Sequence, residues 1–146
     1  MDAFNIIGIS VRTINKDGHS KRDIGNLWNR WFAEALSDTI PNKVNGKIIN
    51  MYTNYDSDEH DYYTTILGHS VNSLGKVPNG MVGLEIPTSN YKEFISEGIL
   101  PTCVLNTWEQ IWNSEIDRKY SADFDVYNPS TMDQERALVK TYVSIN

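Results

Sequence analysis

The sequence is short of cysteine and of positive charge, and it contains no long apolar run. Its single cysteine, Cys103, excludes an internal disulfide, so the apolar core has to stabilise the fold unaided. No stretch is long enough to cross a bilayer, and the first residues lack the basic and apolar regions of a secretion signal. We therefore expect a cytoplasmic protein with no membrane partner.

The charge balance narrows the class of ligand. Thirteen basic residues stand against 19 acidic ones in a chain of 146, which gives a net charge of −6. Because a nucleic-acid surface needs a basic footprint, we expect no direct nucleic-acid partner. Aromatic side chains are plentiful, with 4 Trp, 8 Tyr and 4 Phe. Negative charge combined with aromatic rings favours a cationic small molecule.

The chain repeats itself at an offset of 75 residues. Ile6–Thr13 aligns with Met81–Thr88, and each reads apolar, apolar, Gly, apolar, polar, apolar, any residue, Thr. The same offset aligns Ile49–Tyr52 with Phe124–Tyr127. All four segments have the β-branched content or alternation typical of strands.

Each half also carries a tryptophan-rich helix between these strands. Apolar residues recur at helical spacing over Asp23–Leu36 and over Thr102–Trp112. A second strand-like run completes each half, so both read β-α-β-β. We predict one domain over residues 1–146, with repeat 1 at about 4–74 and repeat 2 at about 80–146.

The repeat predicts the architecture. A half of about 70 residues is too small to bury its sheet and helix with any margin. The simplest solution is an α+β fold in which the duplicated unit obeys a pseudo-twofold axis. One antiparallel sheet would then carry both helices on one face.

Four motifs occur in order along the chain. They are Tyr52-Thr53-x-Tyr55, Tyr91-x-x-Phe94-x-x-x-Gly98, Trp108 with Ile111, and Asp123–Tyr127. Together they resemble the GyrI-like, or AraC-type, effector-binding family, over nearly the whole chain. The family fold is a duplicated β-α-β-β unit, in agreement with the repeat.

The resemblance also implies a function. Family members bind small molecules, often lipophilic cations, in a groove between the two helices. The resemblance therefore implies that this chain binds such compounds and acts as a drug sensor or sequestering protein. The chain resembles the stand-alone form found on mobile gene cassettes such as integron cassettes, without a DNA-binding domain. A homodimer or a separate regulator protein is then the expected partner.

The resemblance further implies the ligand-binding residues. Strand alternation puts Asp125 on one face with Asp123 and Tyr127, and the family places that face toward the groove. Asp125 stands where relatives usually have Glu, which shortens the pocket acid by one methylene. The predicted floor and walls of the groove are Asn50, Tyr52, Asp125, Tyr127, Trp28 and Trp108. Glu85 is the rival candidate for the pocket acid.

Other interpretations stay open beside this one. Trp31 and Trp112 are expected in the core, as tryptophans on an apolar helix face usually are. The acidic run at 56–61 reads as a solvated turn, and we expect no metal, no cofactor and no catalytic residue.

Two further alternatives concern function. One is a hydrolase that uses Asp125 as general acid or base, with Tyr127 or Tyr52 as proton donor, on a strained or electrophilic ligand. In the other, the helix-free sheet face or an edge strand docks a second protein.

Overall fold

The computed structural model describes all 146 residues and contains seven strands and two α-helices. The strands are β1 (Phe4–Ile14), β2 (Ile48–Thr53), β3 (Tyr62–Val71), β4 (Val82–Ile86), β5 (Asn90–Gly98), β6 (Ala122–Tyr127) and β7 (Ala137–Ile145). The helices are α1 (His19–Ala33) and α2 (Thr102–Trp112), and a 3-10 turn (Leu36–Thr39) follows α1. One antiparallel sheet of order β4-β1-β3-β2-β6-β7-β5 contains every strand, which confirms the predicted α+β class.

The centre of the sheet joins the two halves of the chain. β2 pairs with β6, and Asn50 lies directly opposite Asp125 in this pairing. Moving outward, β3 and β1 follow β2, while β7 and β5 follow β6. Along the chain, α1 follows β1 and α2 follows β5. The strand order suits two related halves, and their origin by duplication stays a prediction.

The first strand of the second half differs from the sequence prediction. Met81–Thr88 was expected to be the counterpart of Ile6–Thr13, but in the structure β4 pairs with β1 itself, from Phe4↔Ile86 to Gly8↔Val82. Pro87 ends β4 because it has no N–H to donate. β5 then takes the place beside β7 that β1 has beside β3. The counterpart of β1 by position is therefore β5.

Both helices pack on one face of the sheet. Their apolar sides join a single core cluster, to which α1 contributes Leu27 and Trp31, and α2 contributes Val104, Trp108 and Ile111. Trp31 is fully buried there, as predicted. Trp112 is 40% exposed, so its expected core position is wrong.

The opposite face encloses a core of its own. β4 and β5 lie at opposite edges of the sheet, yet only residues 87–89 connect them, a span of at most about 14 Å. The sheet therefore curls until its edges approach each other. Phe124 fills the curl, with the rings of Phe4 and Tyr91 at 5.3 and 5.5 Å. The helix-free face therefore lies on the inner side of the curl and carries a second core cluster.

Candidate ligand-binding site

A cavity of about 390 Å³ lies between the two helices, above the central strands. Both helices form its walls, and loops close one end. Seven aromatic residues line it: Trp28, Tyr52, Tyr55, Tyr63, Trp108, Trp112 and Tyr127. The remaining apolar lining is Ile24, Pro101, Val104 and Leu105. Such a lining favours a bulky apolar or aromatic ligand.

Two edge-to-face contacts between aromatic rings hold the lining in place. Trp28 of α1 packs against Tyr127 of β6, with ring centroids 4.9 Å apart. Trp108 of α2 packs against Tyr52 of β2 at 5.2 Å. Each contact joins the helix of one half to the central strand of the other, so these four of the predicted wall and floor residues meet in the cavity.

Asp125 lies beneath the cavity floor. Its side chain is completely buried, and it is not among the residues that line the cavity. The Tyr52 hydroxyl donates to Oδ2 at 2.6 Å, the Trp108 indole N–H donates to Oδ1 at 3.1 Å, and the Thr141 hydroxyl also donates to Oδ1. The carboxylate thus contacts Tyr52 and Trp108 from the side that faces away from the cavity. The sequence prediction placed it in the floor itself.

Burial perturbs the acid–base chemistry of this group. It raises the pKa of Asp125 to about 6, although the three donors act in the opposite direction. Burial also raises the pKa of the Tyr52 hydroxyl well above its usual value, so Tyr52 stays protonated and remains a donor. At neutral pH the cavity floor therefore covers a largely ionised carboxylate.

The geometry bears on the hydrolase alternative. A general acid or base must reach the proton that it transfers, directly or through one water. Asp125 has no exposed surface, and Tyr52 and Trp108 stand between it and the cavity.

Asn50 occupies the position opposite Asp125. It lines the cavity, and its amide donates to the Thr65 hydroxyl at 2.8 Å. One central strand therefore carries a carboxylate and the other an uncharged amide at paired positions.

Glu85 is not part of the site. It lies exposed on β4 and pairs with Asn5 of β1, far across the sheet from the central strands. The prediction failed because β4 forms the outer edge and does not flank the groove. The carboxylate that lines the cavity is Glu59, whose side chain is 15% exposed. The run at 56–61 is therefore more than a solvated turn.

Arg118 is the second residue of the cavity lining that the sequence did not reveal. It lines the same end of the cavity as Tyr55 and Glu59, which we call the arginine side. Its Nη2 donates to Asp123 at 2.8 Å. Asp123 also accepts from the Tyr55 hydroxyl at 2.5 Å and from the Ser144 backbone N–H at 2.7 Å.

A protein-family model, described as Cass2, integron-associated effector binding protein, matches residues 1–145. The chain belongs to the Cass2 family. This confirms the resemblance to effector-binding domains on which the sequence interpretation depended. Among curated proteins, the putative transcriptional regulator protein YobU of Bacillus subtilis (strain 168) is 29% identical to this chain over 150 residues. That match covers 99% of this chain and 94% of YobU.

Solved structures show the same fold at lower identity. An integron cassette protein from the mobile metagenome of Vibrio cholerae superposes with a TM-score of 0.78 at 24% identity, over 100% of this chain and 92% of that one. SAV2435, solved bound to tetraphenylphosphonium, superposes with a TM-score of 0.81 at 13% identity, over 100% of this chain and 90% of that one. Neither helix of this chain combines the length and the apolar character needed to span a membrane.

Proposed function

We propose that the cavity binds lipophilic aromatic cations, and that the protein acts as a sensor or sequestering agent for them. One observation carries this proposal: an aromatic cavity in which two lining residues, Tyr52 and Trp108, both donate to the buried carboxylate of Asp125. Membership of an effector-binding family supports a small-molecule ligand. The fold neighbour SAV2435 was solved with such a cation, tetraphenylphosphonium.

The aromatic lining attracts cations directly. A cation over the face of Trp or Tyr gains about 0.5–2 kcal/mol, and the upper value applies where water is excluded. The hydrogen bond from Tyr52 to Asp125 leaves the ring of Tyr52 richer in electrons, which strengthens this attraction. Apolar contact would supply most of the affinity and tolerate ligands of different shapes.

The charges around the cavity favour a cation as well. Three carboxylates lie at or directly behind the lining, on Glu59, Asp123 and Asp125. The cationic side chains are Arg118, which is paired with Asp123, and Lys21, which is exposed on α1. The excess negative charge lies in poorly hydrated surroundings, where a ligand of opposite sign is attracted more strongly than in water.

We also propose that the two halves are related by a pseudo-twofold axis between β2 and β6, with the groove on that axis. The axis would exchange Asn50 with Asp125 and Tyr52 with Tyr127, as the offset of 75 requires. In the pair formed by Asn50 and Asp125 only Asp125 carries a charge, so a bound cation would prefer the side of the groove nearer Asp125.

Two ions of matched shape test the proposal. Tetraphenylphosphonium and tetraphenylborate differ in charge and hardly in size, and three of the four tryptophans line the cavity and report binding by fluorescence. We expect the phosphonium ion to bind at least about tenfold more tightly than the borate, a difference of about 1.4 kcal/mol.

A pair of variants tests the role of Asp125. Asp125→Asn removes the buried charge, and Glu85→Gln removes the same charge from the exposed edge strand. We expect Asp125→Asn to weaken phosphonium binding about tenfold and Glu85→Gln to leave it unchanged. Equal binding of the two ions, or equal behaviour of the two variants, would contradict the proposal.

The route by which binding is read out is also a proposal. A homodimer or a separate regulator protein stays the predicted partner. Sedimentation of the protein with and without tetraphenylphosphonium, and then with a candidate regulator, measures whether ligand binding changes assembly.

A further inference from the structure

The guanidinium of Arg118 has hydrogen-bond donors that the protein does not use. Its side chain is only 4% exposed and forms part of the cavity wall. Nη2 donates to Asp123 at 2.8 Å, and Nη1 lies 3.5 Å from Glu59 Oε2 without forming a hydrogen bond. Both Nε and Nη1 have no acceptor within the protein.

A buried charged donor without an acceptor is uncommon, because it loses its hydration and gains no hydrogen bond. The position of Arg118 is nevertheless well defined. Besides the ion pair with Asp123, its guanidinium lies 4.3 Å from the ring centroid of Tyr120 and 5.7 Å from that of Trp108. The guanidinium is therefore held in place in the cavity wall with Nε and Nη1 unused, and because both nitrogens are buried, a ligand acceptor reaches them only by displacing a neighbouring group such as the Glu59 carboxylate.

We propose that Arg118 donates a hydrogen bond to a neutral acceptor on the ligand, so that the preferred ligands are aromatic cations that also carry a carbonyl oxygen. The proposal rests on the proposed function of the cavity and names the ligand class more closely. The carbonyl belongs to an ester, ketone or amide and lies at the arginine side, while the cationic aromatic body lies over Tyr52 and Trp108.

The charges on this side select a neutral acceptor over a carboxylate. Asp123 already pairs with Arg118, and Glu59 lies beside the same guanidinium. A ligand carboxylate would be repelled by the carboxylates of Asp123 and Glu59, while the charge of Arg118 is already compensated by Asp123. A carbonyl oxygen accepts the hydrogen bond without that repulsion.

Three dyes with one fluorophore test the proposal. Tetramethylrosamine is a cation with a bare phenyl ring, tetramethylrhodamine methyl ester has an ester on that ring, and tetramethylrhodamine has a carboxylate there. In fluorescence anisotropy titrations we expect the ester to bind about tenfold more tightly than the rosamine, the usual effect of a hydrogen bond to a charged group. The carboxylate should bind less tightly than the ester.

Arg118→Lys tests the donor while it keeps a positive charge beside Asp123. We expect the ratio of ester to rosamine affinity to fall to about one, since Lys lacks the Nε–H and the second Nη. Arg136→Lys makes the same change on an exposed turn and should keep the ratio. If Arg118→Lys fails to fold, the ester carbonyl band of the bound dye decides in the native protein, where a hydrogen bond shifts it to lower wavenumber.

The outcomes separate this inference from the proposed function. Equal affinities for ester and rosamine, an unshifted carbonyl band, or a ratio that survives in Arg118→Lys would each overturn the role of Arg118 and leave cation binding intact. Failure of every dye and of tetraphenylphosphonium to bind would overturn both.

Discussion

Replacing Asp125 by Asn should change how the stability of the protein depends on pH. Burial raises the pKa of Asp125 from 3.8 to about 6 in the folded protein. The folded state therefore keeps a proton that the unfolded chain has already released between about pH 4 and 6. Because the raised value belongs to an acid, the native protein loses stability as the pH rises through this window.

The size of the effect follows from the two pKa values. Their separation of about two pH units corresponds to roughly 3 kcal/mol of unfolding free energy, which is fully retained below about pH 4 and fully lost above about pH 6. About 2 kcal/mol of this develops between pH 4.5 and 7.5. In a domain of this size that is a change in Tm of roughly 4–8 °C.

Asn at position 125 cannot ionise and should not show this loss. Its side-chain oxygen still accepts from Trp108, whereas its amide group faces the Tyr52 hydroxyl, which has to rotate to accept. That rearrangement changes the stability of the variant by an amount that does not vary with pH. The informative quantity is thus the change with pH in the stability difference between the variant and the native protein.

Urea denaturation of both proteins at pH 4.5 and 7.5 measures this quantity. We expect the difference to move by about 2 kcal/mol in favour of Asp125→Asn at the higher pH. Other titrating groups cancel, and Glu85→Gln, which alters an exposed carboxylate, should show no such movement. A stability difference that is the same at both pH values would refute the claim that burial raises the pKa of this carboxyl group.

Three further predictions concern the cavity. In the native protein the affinity for tetraphenylphosphonium should rise about tenfold from pH 5 to 7 as Asp125 ionises, while calorimetric titration of Asp125→Asn should show no such rise. Lys21→Gln removes an exposed cation from the cavity rim and should raise phosphonium affinity about two- to threefold at low salt, an effect that added salt abolishes. Gly25→Ala should stabilise α1 by about 1 kcal/mol in thermal unfolding, because Gly is a poor helix former and a Cβ there meets no atom within 4 Å; a lower Tm would show that the helix needs glycine at this point.

Much of the cavity was predictable because its residues lie on regular elements. Helical spacing placed Trp28 and Trp108 on the sheet-facing sides of their helices, and strand alternation placed Tyr52 and Tyr127 on the same face of the sheet. The same alternation put Phe124 on the opposite face, where it lies in the second core. Local periodicity predicted which residues share a face, and the resemblance to effector-binding domains implied which face lines the groove.

The errors arose where tertiary contacts decide the outcome. Glu59 comes from a turn, and its carboxylate accepts a hydrogen bond from Tyr120, 61 residues further along the chain. Arg118 precedes β6 in an irregular segment and is oriented by Asp123. Glu85 was misplaced because the pairing of β4 with β1 cannot be read from the alternation of β4 alone.

The buried carboxylate links the stability of the fold to the selectivity of the site. Three donors reach Asp125, yet its pKa stays raised, so the ionised form remains under-stabilised by roughly 3 kcal/mol. A cation in the cavity that returned the pKa of Asp125 to that of a solvated carboxyl would recover this amount. That corresponds to roughly a hundredfold preference over a neutral ligand of the same shape. Charge selectivity well beyond this value would therefore require a second group, and Glu59 is the carboxylate that lines the cavity in a position to supply it.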